Sequence, residues 1–232
     1  MSANKSSMNT LLSNLRISVP EKIYVKDPES SPLGKRIIEH SIILINDIGF
    51  DAFTFKKLGV LIGSNESSIY RYFESKHKLL LYLSSWYWAW IEYQFVFETH
   101  NITDKKEKLK KAIEVVTRTV KEDASNYSHI NKIFLNQIII NENSKSFLTK
   151  EVDQENKDGY FVIYKRVVQR LTSIIKEVSP NYGFAASLAS TIIDGSLHQH
   201  FLKDHFTSIT DCKSGIAPVD FYINLTENTL NI

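Results

Sequence analysis

The residues Ser67, Ser68, Tyr70, Arg71 and Tyr72 carry side chains that could read DNA. A guanidinium can present two parallel donors to a guanine edge, and a serine or tyrosine hydroxyl can bond a phosphate or a base. Their spacing decides whether they could act together. Ile69 and Phe73 lie one helical turn apart and mark an inward side. At 100° per residue, Arg71 then points about 180° away, Ser67 about 140° and Ser68 about 120°, with Tyr70 and Tyr72 flanking at about 80°. Small serines would let the backbone approach a groove closely. The same residue types also fit an ordinary surface helix with two aromatic shoulders.

The elements around this stretch are compatible with a reader. From Thr54 to Lys78 the chain runs TFKKLGVLIGSNESSIYRYFESKHK. Phe55, Leu58, Leu61 and Ile62 have helical spacing. Thr54 can cap that helix, Gly63 can end it with positive φ, and Ser64 or Asn65 can cap the next. Helix, short glycine turn and helix is the plan of a DNA-reading helix-turn-helix. Before it, Leu33 to Ile48 predicts a helix whose Ile38, Ser41, Ile42 and Ile45 should pack on Leu58, Ile62 and Ile69, with Gly49 as its stop.

Residues 35–80 resemble the DNA-binding domain of the TetR family of transcriptional repressors. The resemblance rests on Gly49-Phe50 after the first helix, Thr54 opening the second, Ile69-Tyr70-Arg71-Tyr72-Phe73 in the reader, and then Ser75-Lys76. It covers about a fifth of the chain. The sequence departs from the family's usual residues at Gly59, Ser64-Asn65 and Glu66-Ser67. The resemblance implies an all-α fold: a three-helix helix-turn-helix domain, then a helical dimerisation and ligand-binding domain. The implied divisions are an arm at 1–34, the DNA-binding domain at 35–80 and the helical domain at 81–232. The expected DNA contacts are Thr54, Ser67, Ser68, Tyr70, Arg71, Tyr72 and Lys76. Thr54 and Lys76 are the expected phosphate anchors, since a helix N-terminus favours phosphate.

Composition sets the limits. The chain has 232 residues, 43% of them hydrophobic, and a net charge of +2, too weak a charge to imply nucleic acid by itself. Residues 35–80 hold seven Lys/Arg and five Asp/Glu, again +2, so a basic footprint must come from placement. The one cysteine, Cys212, cannot form an internal disulfide, which fits a reducing cytoplasm. No apolar run reaches the ~18 residues of a membrane span, and no secretory leader is expected. No nucleophile–base set supports catalysis, so an enzyme is not expected. No cofactor motif is present.

The arm begins with a polar segment, Met1 to Thr10, expected to be disordered, followed by apolar Leu15–Val19 and Ile23–Val25. Its acids Glu21, Asp27 and Glu29 favour a tail packed on the surface over a minor-groove arm. Ser75 to Glu98 predicts one long helix capped by Ser75 and crowded with aromatics. Trp86, Trp90, Tyr93 and Phe97 share one face by spacing. That stripe reads either as solid core or as the wall of an apolar ligand cavity. In the second reading Trp86, Trp90 and Tyr93 bound it together with Phe134, Ile138, Phe161 and Tyr164, and the ligand is a small apolar or aromatic molecule. Helices are also predicted at 103–123, 126–141 and 160–178, the last with Phe161, Tyr164, Val168, Leu171 and Ile175 inward. Residues 141–158 predict a loop or an exposed helical turn.

Two more helices follow, at 181–206 and 219–230. The resemblance implies that they pair with their twins in a homodimer, through Leu188, Ile192, Gly195, Phe221 and Leu225. Asp194–His198 and His200–Asp204 have i,i+4 spacing, but the pairs point to different faces, so a structural role is expected rather than a metal site. The function implied is a cytoplasmic, ligand-responsive repressor binding a palindromic operator as a homodimer. Two other readings stay open: an all-α small-molecule-binding protein, and an activator or architectural regulator without a ligand.

Overall fold

The computed structural model describes residues 17–120, 129–213 and 215–232. The polar start of the arm, the last three residues of the helix expected at 103–123 and the first three of that expected at 126–141 lie outside the described residues. Ten α-helices are present and no strand among the described residues. They are α1 Pro32–Ala52, α2 Phe55–Ile62, α3 Glu66–Tyr70, α4 Lys76–Thr99, α5 Lys105–Thr117, α6 Lys132–Phe147, α7 Val152–Lys157, α8 Val162–Val178, α9 Ala185–His205 and α10 Pro218–Leu230. No helix among the described residues is long and apolar enough to cross a membrane.

The chain divides into two compact units, one of residues 1–87 and 120–160, the other of 88–119 and 161–232. In the first unit Ile38, Ser41, Ile42 and Ile45 of α1 are buried with Leu58, Ile62 and Ile69, as their spacing predicts. The α1 helix runs past Ile48 to Ala52, but Gly49 breaks it with φ 77° and ψ 157°, a left-handed value that glycine adopts without strain. The break frees peptide groups that need partners. The Phe50 N–H donates to Glu142 Oε1 of α6 at 3.2 Å. Lys145 bridges Asp51 and Glu142 at 2.7 and 2.9 Å. This pairing explains why α6 extends to Phe147 through a polar run expected to be a loop or an exposed helical turn. Glu142 is not a solvated residue there; it is buried against the α1 break.

The described part of the arm packs on the same unit. Ile17, Val19 and Ile23 are buried. The Val25 N–H donates to the Tyr72 carbonyl at 2.8 Å, and Tyr24 meets Tyr82 edge to face.

The second unit is built from the later part of α4 with α5, α8, α9 and α10. One expected face is turned here. On α8 the buried residues are Ile163, Val167, Leu171, Ile174 and Ile175, whereas Phe161, Tyr164 and Val168 are only half-buried. On α10 the buried side is Pro218, Tyr222, Thr226 and Leu230, and Phe221 and Leu225 face away from it. Thr226 buries its hydroxyl by donating to the Tyr222 carbonyl at 2.7 Å. His200 is buried and hydrogen-bonded through Nε2 to the Thr117 carbonyl at 2.7 Å; burial holds its pKa below the usual histidine range. Tyr164 donates to Asp194 at 2.9 Å, and burial raises the pKa of both groups.

Gly195 lies where α9 meets α10. A Cβ there would stand 2.2 Å from the Tyr222 hydroxyl and 3.1 Å from its ring carbon. Gly195→Ala is expected to destabilise the protein by about 1–3 kcal/mol through overpacking. Combined with Tyr222→Phe, which removes the nearest atom, the same substitution should cost less. A double-mutant cycle by urea denaturation measures the coupling. Purely additive effects would show that the close approach does not limit packing.

Candidate nucleic-acid interface

The helix-turn-helix forms as its caps require. The Thr54 side chain accepts the Lys57 N–H at 3.2 Å and opens α2. Gly63 closes α2 in the left-handed conformation, with φ 62° and ψ 40°. Arg36 of α1 donates to the Ile62 carbonyl at the same end, a cap for which the sequence pattern carries no signal. Asn65, rather than Ser64, caps α3. Its Oδ1 accepts the Ser68 N–H at 2.9 Å and both the Ser67 and Ser68 hydroxyls, at 2.9 and 2.6 Å.

The structure divides the residues expected at DNA. Arg71 is exposed just past α3, and its guanidinium has no hydrogen-bond or ion-pair partner among the described residues. Tyr70 is 48% exposed; its ring rests edge-on against Phe55, and its hydroxyl lies 3.5 Å from Glu66, too long for a firm bond. Thr54 is exposed, with its hydroxyl oxygen engaged at the helix cap. Ser67 and Ser68 face outward as expected, but their hydroxyl protons are committed to Asn65. They are available to DNA only as acceptors unless that cap rearranges.

Tyr72 and Lys76 are placed differently from the expectation. Tyr72 is 4% exposed, and its hydroxyl pairs with the Ser31 hydroxyl at 2.7 Å. The physical reason is that α3 ends at Tyr70. The Tyr72 N–H bonds the Ile69 carbonyl, three residues back, so the chain turns and the 100° step no longer applies. The arm then covers the ring. Lys76 does not point outward to a phosphate. Its ammonium lies within 3.1–3.3 Å of the carbonyls of Phe50, Asp51 and Phe53 and sits over the Phe50 ring at 4.8 Å. It satisfies the end of α1. Ser75 caps α4 as expected, accepting the Lys78 N–H at 3.2 Å. The exposed Lys56 at the start of α2 is a basic group that no motif singled out.

The seven residues expected around a ligand fall in both units. Trp86, Phe134 and Ile138 belong to the first, and Trp90, Tyr93, Phe161 and Tyr164 to the second. From Trp88 onward the buried side of α4 is Trp88, Ile91, Glu92, Phe95 and Thr99, whereas Tyr93 and Phe97 are 42% and 47% exposed. Aromatics on every side of α4 left its spacing unable to choose a face. Glu92, which lies beside the expected stripe, is buried and accepts hydrogen bonds from Arg166 and Arg170. The second unit does contain a cleft of about 290 Å³ between the end of α4, α5 and α8; none of the seven lines it. Of the residues expected between subunits, Leu188 and Ile192 are buried within the second unit, and Gly195 meets Tyr222 there.

With this geometry, residues 37–83 match the family described as bacterial regulatory proteins, tetR family. The matched segment contains the helix-turn-helix described above. Comparison with curated protein sequences finds no match. Among solved structures, AibR in complex with isovaleryl coenzyme A and operator DNA is similar at a TM-score of 0.53 and 16% identity, covering 84% of this chain and 97% of that one. A transcriptional regulator from Saccharomonospora viridis in complex with choline gives 0.55 and 20%, over 85% and 94%. PfmR, a TetR family transcriptional regulator from Thermus thermophilus, gives 0.53 and 15%, over 84% and 97%. These similarities establish an all-α, TetR-like fold.

Arg71 and Lys76 should therefore respond differently to truncation. Arg71→Ala is expected to cost about 1–3 kcal/mol at one base position and relax specificity there. Lys76→Ala should instead lower folding stability by about 1–3 kcal/mol, because it strips partners from carbonyls at the α1 end, and leave the salt slope of DNA binding unchanged. Anisotropy titrations over a salt series, beside denaturant melts, check both. A slope reduced by about one for Lys76→Ala would restore it as a phosphate contact.

Proposed function

We propose that this protein is a ligand-responsive transcriptional repressor that binds palindromic operator DNA as a homodimer in the cytoplasm. The observation that carries the reading is the TetR-type helix-turn-helix with an exposed Arg71 at the end of its reader helix, its guanidinium without a partner among the described residues. Arg71 is the base reader, Tyr70 and Thr54 flank it, and Ser67 and Ser68 stand at the groove. A two-fold dimer places two such heads in successive major grooves, about 34–36 Å apart. Similarly folded proteins crystallised with operator DNA and with small ligands are consistent with this reading.

The dimer surface proposed here is the outward side of α9 and α10. Phe184 and Phe221 are 70% and 42% exposed there, and Leu225 is half-exposed. Exposed phenylalanines lose apolar area to water unless a partner covers them. Leu188, Ile192 and Gly195 support that surface from beneath by packing α9 within its own unit. A ligand bound in the second unit acts through α4, whose residues fall in both units. It lowers operator affinity only as far as it binds the DNA-free state more tightly than the DNA-bound state.

The test begins with selection of bound sequences from random DNA. The expected product is an inverted repeat whose affinity falls steeply with salt. Light scattering should give a dimer at micromolar concentration. Phe221→Lys should give monomers with unchanged helix content by circular dichroism and a large loss of operator affinity. A monomeric wild type that still binds the selected DNA would remove the dimer from the proposal. Failure to select any sequence would remove DNA reading.

A further inference from the structure

The cleft in the second unit has a charge arrangement that the packing of the unit uses only in part. Its wall includes Phe95 and Val96 of α4, Ile174 of α8, and the side chains of Lys108, Arg170 and Glu177. Behind it stands Glu92, buried and in contact with two guanidiniums. Arg166 donates to Glu92 through Nε and Nη2, at 3.1 and 2.7 Å to Oε2. Arg170 donates through Nε alone, at 2.8 Å to Oε1. Burial would push the Glu92 carboxyl up, but the two arginines more than offset that and hold it below the usual carboxylate range. It is a fixed anion.

A guanidinium anchored through Nε presents the opposite edge, Nη1 and Nη2. For Arg170 neither atom has a hydrogen-bond partner among the described residues, and 44% of its side chain is exposed. The arginine is thus pre-oriented, which reduces the ordering penalty on binding. Its free edge matches a carboxylate, which can accept two parallel bonds. Beside it Lys108 is already paired with Glu177 at 3.0 Å. The three cations Arg166, Arg170 and Lys108 face two carboxylates, Glu92 and Glu177, which leaves a single positive charge. A ligand with one negative charge balances the cluster, and a second would meet the carboxylates of Glu92 and Glu177.

We propose that this cleft binds a small monocarboxylate, its head on the free edge of Arg170 and its apolar tail along Phe95, Val96 and Ile174. The cleft's 290 Å³ is at the small end of the range of about 300–1,000 Å³ for ligand sites. The ligand is accordingly a short acyl or single-ring acid. This names the chemical class of the effector in the repressor proposed above, and so rests on that reading for its regulatory meaning but not for the binding itself.

Hexanoate is the probe, with hexan-1-ol and hexylammonium as neutral and cationic controls of the same tail. Ligand-observed NMR on the full chain without DNA should show saturable binding of hexanoate only. Arg170→Gln should weaken it about tenfold or more, since a charge-assisted pair is lost. Arg170→Lys should restore only part of it, because an ammonium lacks the fork. Should Arg170→Gln fail to fold, Ser173→Asp is the second variant. Ser173 is exposed on the cleft wall, and a carboxylate there should abolish hexanoate binding without disturbing Glu92. Lys176→Gln, on the same helix but not on the cleft wall, should leave binding unchanged. No saturable hexanoate binding, equal binding of hexan-1-ol, or binding indifferent to both Arg170→Gln and Ser173→Asp would overturn the site. Hexanoate binding that depends on Arg170, in a protein that selects no DNA sequence, would keep the site and overturn the repressor. The reverse result would keep the repressor and overturn the site.

Discussion

The first unit depends on how it repairs the break in α1. At Gly49 the helix stops for one residue, and the peptide groups on either side lose their intrahelical partners. Two elements supply replacements, the Lys76 ammonium of α4 to three carbonyls and Glu142 of α6 to the Phe50 N–H, while Lys145 of α6 pairs with the Asp51 side chain. Unpaired buried peptide groups cost about 1–3 kcal/mol each, so the break is a point where α1, α4 and α6 must agree on position. The α2 and α3 helices follow directly from that point. Their orientation is therefore tied to α4 and α6 through a handful of polar contacts, not through apolar packing alone. Apolar packing tolerates small slides; charge-assisted hydrogen bonds do so less.

The second unit has a different constraint. Glu92 is a carboxylate in a largely apolar helix face, and an isolated charge there would be prohibitive. Two arginines of α8, Arg166 and Arg170, one turn apart, make it tolerable. That pairing also fixes how α8 is rotated against α4. With Arg166 and Arg170 directed at Glu92, the buried positions of α8 become Ile163, Val167, Leu171 and Ile174. Of the expected face, Leu171 and Ile175 stay buried, while Phe161, Tyr164 and Val168 give way to Ile163, Val167 and Ile174.

This displacement shows what the sequence could and could not reveal. The helix-turn-helix was legible because its signals are local: a threonine cap, a glycine stop, an asparagine cap and isoleucines at helical spacing. The helix order was legible from apolar periodicity, and α9 and α10 from their small and apolar residues. What failed was anything decided by a partner distant in sequence. Glu142 reads as loop until Phe50 is placed beside it. Lys76 reads as a phosphate anchor until the α1 end captures it. Tyr72 reads as a groove-facing shoulder until Ser31 and Val25 of the arm close over it. The direction of α4 was hidden for the opposite reason: aromatics on all sides gave no contrast from which to select a face.

The arm has a consequence for DNA reading in the proposed repressor. Tyr72 is the residue after Arg71, and it is held by its carbonyl, its hydroxyl and its ring, the last lying 5.3 Å from the Lys26 ammonium. A backbone fixed at Tyr72 leaves Arg71 side-chain freedom but little main-chain freedom, so its guanidinium searches a small volume. That favours a reader with one well-directed base contact over one that adapts. The serines do not broaden it, because Asn65 holds both of their protons. Each head would then specify few base pairs, and discrimination among many genomic sites would have to come from repetition across two half-sites. In the proposed repressor, a single reader helix of this geometry would thus need two-fold assembly, whatever surface of α9 and α10 provides it.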